Sequence, residues 1–191
     1  MSDLEALLID LTCEDESRAE VAASSIARLG EIGFPRLESL LNSPVADHRW
    51  WAVRTLAQMD APPLDWLINA LGDPSTEVQE AAALALSVHP SEIAVPALLC
   101  VLKEADGMLA TLVANALTSI GKAAVPGLLD AFPDARPQVR IQIMRSLAAI
   151  KDHRAISLML KASEDDSAVL NHWAQEGLEA LGLNMVYIKL E

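Results

Sequence analysis

Apolar positions along this chain recur in a single wording, Val-x-x-x-Ala-Ala-x-Ala-Leu, whose closing leucine falls at Leu29, Leu56, Leu86, Leu117, Leu147 and Leu178. Neighbouring leucines lie 27, 30, 31, 30 and 31 residues apart. Within a copy the spacing is helical: Val78, Ala82, Ala83, Ala85 and Leu86 share one side of a helix expected over Thr76–Val88. A unit of this length cannot bury its own apolar face without a neighbour. A fixed period therefore predicts an all-α, right-handed α-solenoid of about six stacked helix pairs.

A shorter apolar helix precedes each repeated one and opens on proline, at Phe34-Pro35, Pro62-Pro63, Val95-Pro96 and Val125-Pro126. Proline fits a first helical turn, where its missing N–H has no intrahelical partner to lose. The loops Asn42-Ser43-Pro44, Gly72-Asp73-Pro74-Ser75, Asp106-Gly107, Pro133-Asp134 and Asp165-Asp166-Ser167 carry turn and N-cap chemistry. Ser2 and Glu5 have the spacing of a capping box. One domain over residues 1–191 is expected, with an N-terminal capping unit at 1–33, repeats over 34–182 and a tail at 183–191 that folds back on the last helix pair.

Two stretches carry a resemblance. Ile93-Ala94-Val95-Pro96-Ala97-Leu98-Leu99 and the run from Ala114 to Leu129 resemble the short HEAT repeats of the phycobilisome-lyase type, at a period that fits nearly the whole chain. The resemblance implies a helical repeat scaffold. Function is left open by it, because such repeats serve scaffolds, adaptors, inhibitors, cofactor-attachment lyases and a few enzymes.

Composition narrows the choices. Apolar residues make up 52% of the chain and aromatic ones only 4%, as closely stacked small-residue helices require. Asp, Glu, Pro or Arg interrupts every apolar run short of a membrane span, and no basic region precedes Leu4-Glu5-Ala6-Leu7-Leu8, so a cytoplasmic location is expected. Cys13 and Cys100, 87 residues apart, read as reduced thiols. With 14 basic against 27 acidic residues and a net charge of −13, the field would repel nucleic acid. The acids gather at Glu14-Asp15-Glu16, at Glu104 and Asp106, and at Glu164-Asp165-Asp166. They form a solvated rim that would also steer a basic partner.

Candidate binding residues are those the helical core does not need. Counting the second helix of each unit from its first core residue as zero, 100° per residue turns positions 0, 4, 8 and 11 inward, positions 2, 6 and 10 outward, and position 3 to the flank. Positions 2, 3 and 6 hold Trp50, Trp51 and Arg54 in the second unit, Glu80 and Leu84 in the third, and Thr111, Leu112 and Asn115 in the fourth; position 3 borders the core, so Trp51, Leu112 and Trp173 either face the groove or pack between adjacent units. The fifth gives Ile141, Gln142 and Arg145, and the sixth His172, Trp173 and Glu176. Only Ala23, Ser24, Ala27 and Glu31 fall there in the first unit, which marks it as a cap. Three of the four tryptophans lie on this face together with arginines, the composition of an interface. Trp66, in a first helix, belongs to core or convex surface. Arg49 and Arg140 share position 1, where this kind of repeat often carries an arginine pairing a loop carboxylate.

Catalytic signatures are few. His48, His89, His153 and His172 are neither followed by glutamate nor paired at a metal-binding interval, unlike the ligands of HEAT-fold iron hydroxylases. HEAT-fold DNA glycosylases set Trp, Arg and Asp in a cleft; Trp50, Trp51, Arg54 and Arg145 are similar in kind, but no aspartate stands at positions 2, 3, 6 or 10. The expectation is a non-catalytic scaffold, adaptor or inhibitor without cofactor or metal. It would hold a protein partner, whether peptide, helix or domain, in an aromatic concave groove, a basic partner being the one the rim attracts. The alternative is a lyase-like accessory factor for bilin attachment to a client protein. A third reading is an acidic immunity protein that blocks a basic toxin or enzyme.

Overall fold

The computed structural model describes residues 3–183. The expected tail contact at Met185–Leu190 and the capping role of Ser2 fall outside these residues. Twelve α-helices and no strands occur among the described residues. They divide into two compact units, Met1–His89 and Pro90–Glu191.

The first unit holds three helix pairs: α1 (Asp3–Leu11) with α2 (Glu16–Leu29), α3 (Phe34–Leu41) with α4 (Ala46–Leu56), and α5 (Leu64–Ala70) with α6 (Thr76–Val88). The bounds of α6 are those expected from its periodicity. Its second helices lie side by side, α2 on α4 and α4 on α6. The second unit repeats the plan with α7 (Val95–Glu104) and α8 (Gly107–Ile120), α9 (Val125–Ala131) and α10 (Pro137–Ile150), and α11 (Ile156–Ala162) and α12 (Ala168–Ala180). There α8 packs on α10 and α10 on α12.

Small side chains make this stacking possible. Ala22, Ala52 and Ala82 at position 4 are fully buried, and Leu56, Leu86, Leu117, Leu147 and Leu178 at position 8 are buried behind them. Proline stands in the first turn of α3, α7 and α9, as expected. Short 3-10 turns, at Gly30–Gly33, Glu92–Ala94, Gly121–Ala123 and His153–Ala155, lead into α3, α7, α9 and α11. Two of them start where Gly30 and Gly121 take φ/ψ of 58°/−131° and 76°/−135°, a region closed to residues with a Cβ. Lys151 ends α10 in the left-handed conformation at φ 57°.

The first unit departs from its expected register. Leu29 is 37% exposed, whereas Ile26 is fully buried and its Cγ2 lies over Gly33. Positions three apart share a helix side, so either residue satisfies the pattern; only Ile26 restores a spacing of 30 residues to Leu56. Ala23 and Ala27 consequently belong to the core, at 0% and 8% exposure. The outward positions of α2 are Glu20, Val21, Ser24 and Arg28.

The position-1 arginines also diverge. Arg49 forms the expected ladder to a loop carboxylate, donating through Nε and Nη2 to Asp73 at 2.7 and 2.8 Å. Arg140 instead donates to the Pro133 carbonyl at 2.6 Å with its guanidinium 5.5 Å from the Phe132 ring centre, because that loop turns a carbonyl and a ring toward it.

Candidate partner-binding face

Side chains of α2 and α4 and of the start of α6 line an open cleft of about 1150 Å3 in the first unit. Its walls are Glu16, Ser17, Glu20 and Val21 of α2, Ala46, Asp47, Trp50, Trp51 and Arg54 of α4, and Ser75 and Glu77 at the start of α6, with Cys13 and Glu14 at one end. The two indoles meet edge to face, with centres 4.9 Å apart and planes at 89°. Both are half-buried, so ring surface stays open to the cleft.

Arg54 does not project freely. Its guanidinium donates to both carboxylate oxygens of Glu20, at 3.3 and 3.0 Å, and Gln58 donates to the same carboxylate at 3.2 Å. The Ser24 hydroxyl completes the chain by donating to Gln58 Oε1 at 2.6 Å. At the far wall the Ser75 hydroxyl donates to Glu77 at 2.6 Å, and that bond holds the Glu77 carboxyl below its ordinary range. Asp73 places this wall: it accepts the Ser75 N–H at 2.8 Å while gripping Arg49. The Asp73 carboxyl is itself held below its ordinary value, first by the Arg49 hydrogen bonds.

Sequence reasoning missed Glu20 and Val21, because the first unit was set in frame on Leu29. It read Glu14 and Glu16 as rim acids and did not single out Asp47 or Glu77. The signal that recovers Glu20 is the 30-residue spacing of Ile26 from Leu56. Of the residues expected in α6, Glu80 is half-buried and Leu84 is 45% exposed, and neither lines the cleft.

The second unit presents the remaining expected residues. Gln142 donates to Thr111 Oγ1 at 3.3 Å and Arg145 to Asn115 Oδ1 at 2.8 Å, polar rungs one repeat apart. Leu112, Ile141 and Trp173 are half-buried, while His172 and Glu176 are exposed. The His172 and Trp173 rings lie 5.3 Å apart. Trp66 does not line the first-unit cleft; it stands on first helix α5, edge to face with Phe34 at 5.5 Å.

The family model for HEAT repeats matches residues 34–117 and 95–179. The chain belongs to the HEAT-repeat family. Over 105 residues it is 35% identical to the phycocyanobilin lyase subunit beta of Nostoc sp., a match covering 53% of this HEAT-repeat chain and 52% of that protein. It thus spans about half the length of that curated relative. Among solved structures it resembles the complex of CpcE and CpcF of phycocyanin lyase from Nostoc sp., at 22% identity and a TM-score of 0.57, covering 95% of this chain and 78% of that one. A designed armadillo repeat protein in complex with the peptide (KR)4 gives 18% identity and a TM-score of 0.56, over 94% and 100%. These likenesses make the chain a helical repeat scaffold. No helix among the described residues is long and apolar enough to cross a membrane.

Proposed function

We propose that this chain is a non-catalytic scaffold that binds protein through its second helices, with Trp50, Trp51 and Arg54 forming the binding face of one unit and Asn115, Arg145, His172 and Trp173 that of the other. The observation that supports it most is the placement of two indoles in an open cleft, Trp50 on the side of α4 opposite the core residues Ala52 and Leu56 and Trp51 on the flank. Packing of the helices does not require tryptophan there, whereas interfaces draw a large share of their energy from it. A basic partner fits the acids that line the same cleft, and the likeness to a repeat protein bound to (KR)4 is in keeping with that.

Capture from native lysate tests this reading. Trp50→Ala and Arg145→Ala should stay folded and lose partner, at a cost of about 1–4 kcal/mol in affinity for a hot-spot side chain. Leu86→Ala, which opens a cavity behind the face, should lose about 2–5 kcal/mol of stability instead. If Trp50→Ala unfolds the chain as far as Leu86→Ala does, the indole belongs to the core and the reading fails.

The 35% identity to a phycocyanobilin lyase subunit favours a second reading, in which the scaffold assists bilin attachment to a client. Faster attachment of phycocyanobilin to phycocyanin in the presence of this chain would select it. An unchanged rate would leave the plain scaffold.

A further inference from the structure

Carboxylates are distributed between the two units in a way that helix formation does not explain. Every second helix of the first unit carries an acid in its first turn: Glu16 in α2, Asp47 in α4 and Glu77 in α6. An acid at that point favours a helix by about 0.3–1 kcal/mol through the macrodipole. Yet α8, α10 and α12 form with no first-turn acid at all. The fold is therefore served without them, and in the first unit all three acids line one cleft.

Glu14 and Glu20 join them there, so five carboxylates face a single guanidinium and four formal negative charges remain. That guanidinium, on Arg54, is already committed to Glu20. Glu14, Glu16 and Asp47 have no ion pair or side-chain hydrogen bond among the described residues. Like charges held in one concavity raise its negative potential, and the apolar indole walls focus that field rather than screening it. An indole face attracts a cation and disfavours a carboxylate. The occupant must then be cationic with an apolar stem. The cleft also exceeds the roughly 300–1,000 Å3 typical of a small-molecule pocket, which suits several residues of a chain better than a lone ion.

We infer that the first-unit cleft is a docking site for a lysine- and arginine-bearing segment of a partner protein, with Trp50 taking a cation stem on its ring and Glu16, Asp47 and Glu77 taking the charge. The inference rests on the scaffold reading above and specifies the place and the chemistry of capture. The second-unit face, with Arg145 outward and no first-turn acid, is not part of this site.

The test is a titration of the full chain with a fluorescein-labelled octapeptide of alternating lysine and arginine, read by anisotropy at low salt and at about 0.15 M salt. The parent should bind, and binding should weaken as salt rises. Asp47→Asn/Glu77→Gln should lower affinity about tenfold, and Trp50→Leu about fivefold. Glu164→Gln/Asp166→Asn changes net charge equally at residues that do not line the cleft, and should stay within about twofold of the parent. Equal losses from the two double variants would mean that overall charge alone attracts the peptide, which overturns the inference. So would tighter binding of an alternating glutamate and glycine peptide. If the basic peptide fails to bind while lysate partner is still captured in a Trp50-dependent way, the cationic occupant is wrong and the scaffold reading stands. Loss of both would remove the two together.

Discussion

Asp73→Ala is the perturbation whose consequences reach furthest into the cleft. Asp73 and Arg49 are 9% and 12% exposed at their side chains, and the arginine spans from α4 to the turn before α6, with Nη1 also donating to the Ser43 carbonyl at 2.9 Å. Truncation removes two charge-assisted bonds, at 2.7 and 2.8 Å, and the turn bond to Ser75 N–H, and it leaves a mostly buried guanidinium short of its anion. A hydrogen bond to a charged group is worth about 1.5–3 kcal/mol, and the two share one rigid fork, so they do not add in full. The expected loss is about 2–4 kcal/mol, read by urea denaturation. In a chain of this length each kcal/mol lowers Tm by about 2–4 °C. Arg49→Ala/Asp73→Ala should lose less than the sum of its single variants, because the double leaves no stranded charge. A loss under about 0.5 kcal/mol for Asp73→Ala, or an additive cycle, would place the pair among exposed ion pairs that contribute little and refute the reasoning.

Ile26→Ala should cost about 2–5 kcal/mol and Leu29→Ala less than about 1 kcal/mol; the reverse order in urea melts would restore the discarded register. Lys151→Gly should stabilise the chain by about 0.5–1 kcal/mol, since lysine there bears a left-handed backbone that glycine adopts freely, and an unchanged or lower Tm would contradict this. The Asp73 and Asp152 carboxyls are both held below their ordinary value of 3.8, by Arg49 and Arg154 respectively. Their contribution is therefore complete above the unfolded carboxyl pKa and is lost as pH falls from about 4 through the lower folded values. Asp73→Asn should accordingly flatten the acid limb of the stability profile, and an unaltered limb would argue against the coupling.

The repeat was legible because burial enforces it once per unit. Leu56, Leu86, Leu117, Leu147 and Leu178 each close a core that only an apolar side chain can fill, so their spacing survives in the sequence. Register failed at α2, where an apolar residue three positions beyond Ile26 fits the helical pattern as well as Ile26 does. The 30-residue spacing to Leu56 and the approach of Ile26 to Gly33 separate them. The acids of the cleft were visible as residues but not as a set. Glu16, Asp47 and Glu77 stand in helix first turns 31 and 30 residues apart, where each reads singly as a first-turn acid and only adjacency of α2, α4 and α6 makes them one surface. The Arg54–Glu20 pair could not be read because it depends on the corrected frame.

Oxidative footprinting of the tryptophans with and without bound partner tests the central claim most directly, because the chain carries a natural control. Trp50 and Trp51 line the cleft, whereas Trp66 lies on a first helix against Phe34. Partner binding should protect Trp50 and Trp51 and leave Trp66 as reactive as in the free chain. Protection of Trp66 with Trp50 unchanged would put the partner on the opposite face and contradict the account.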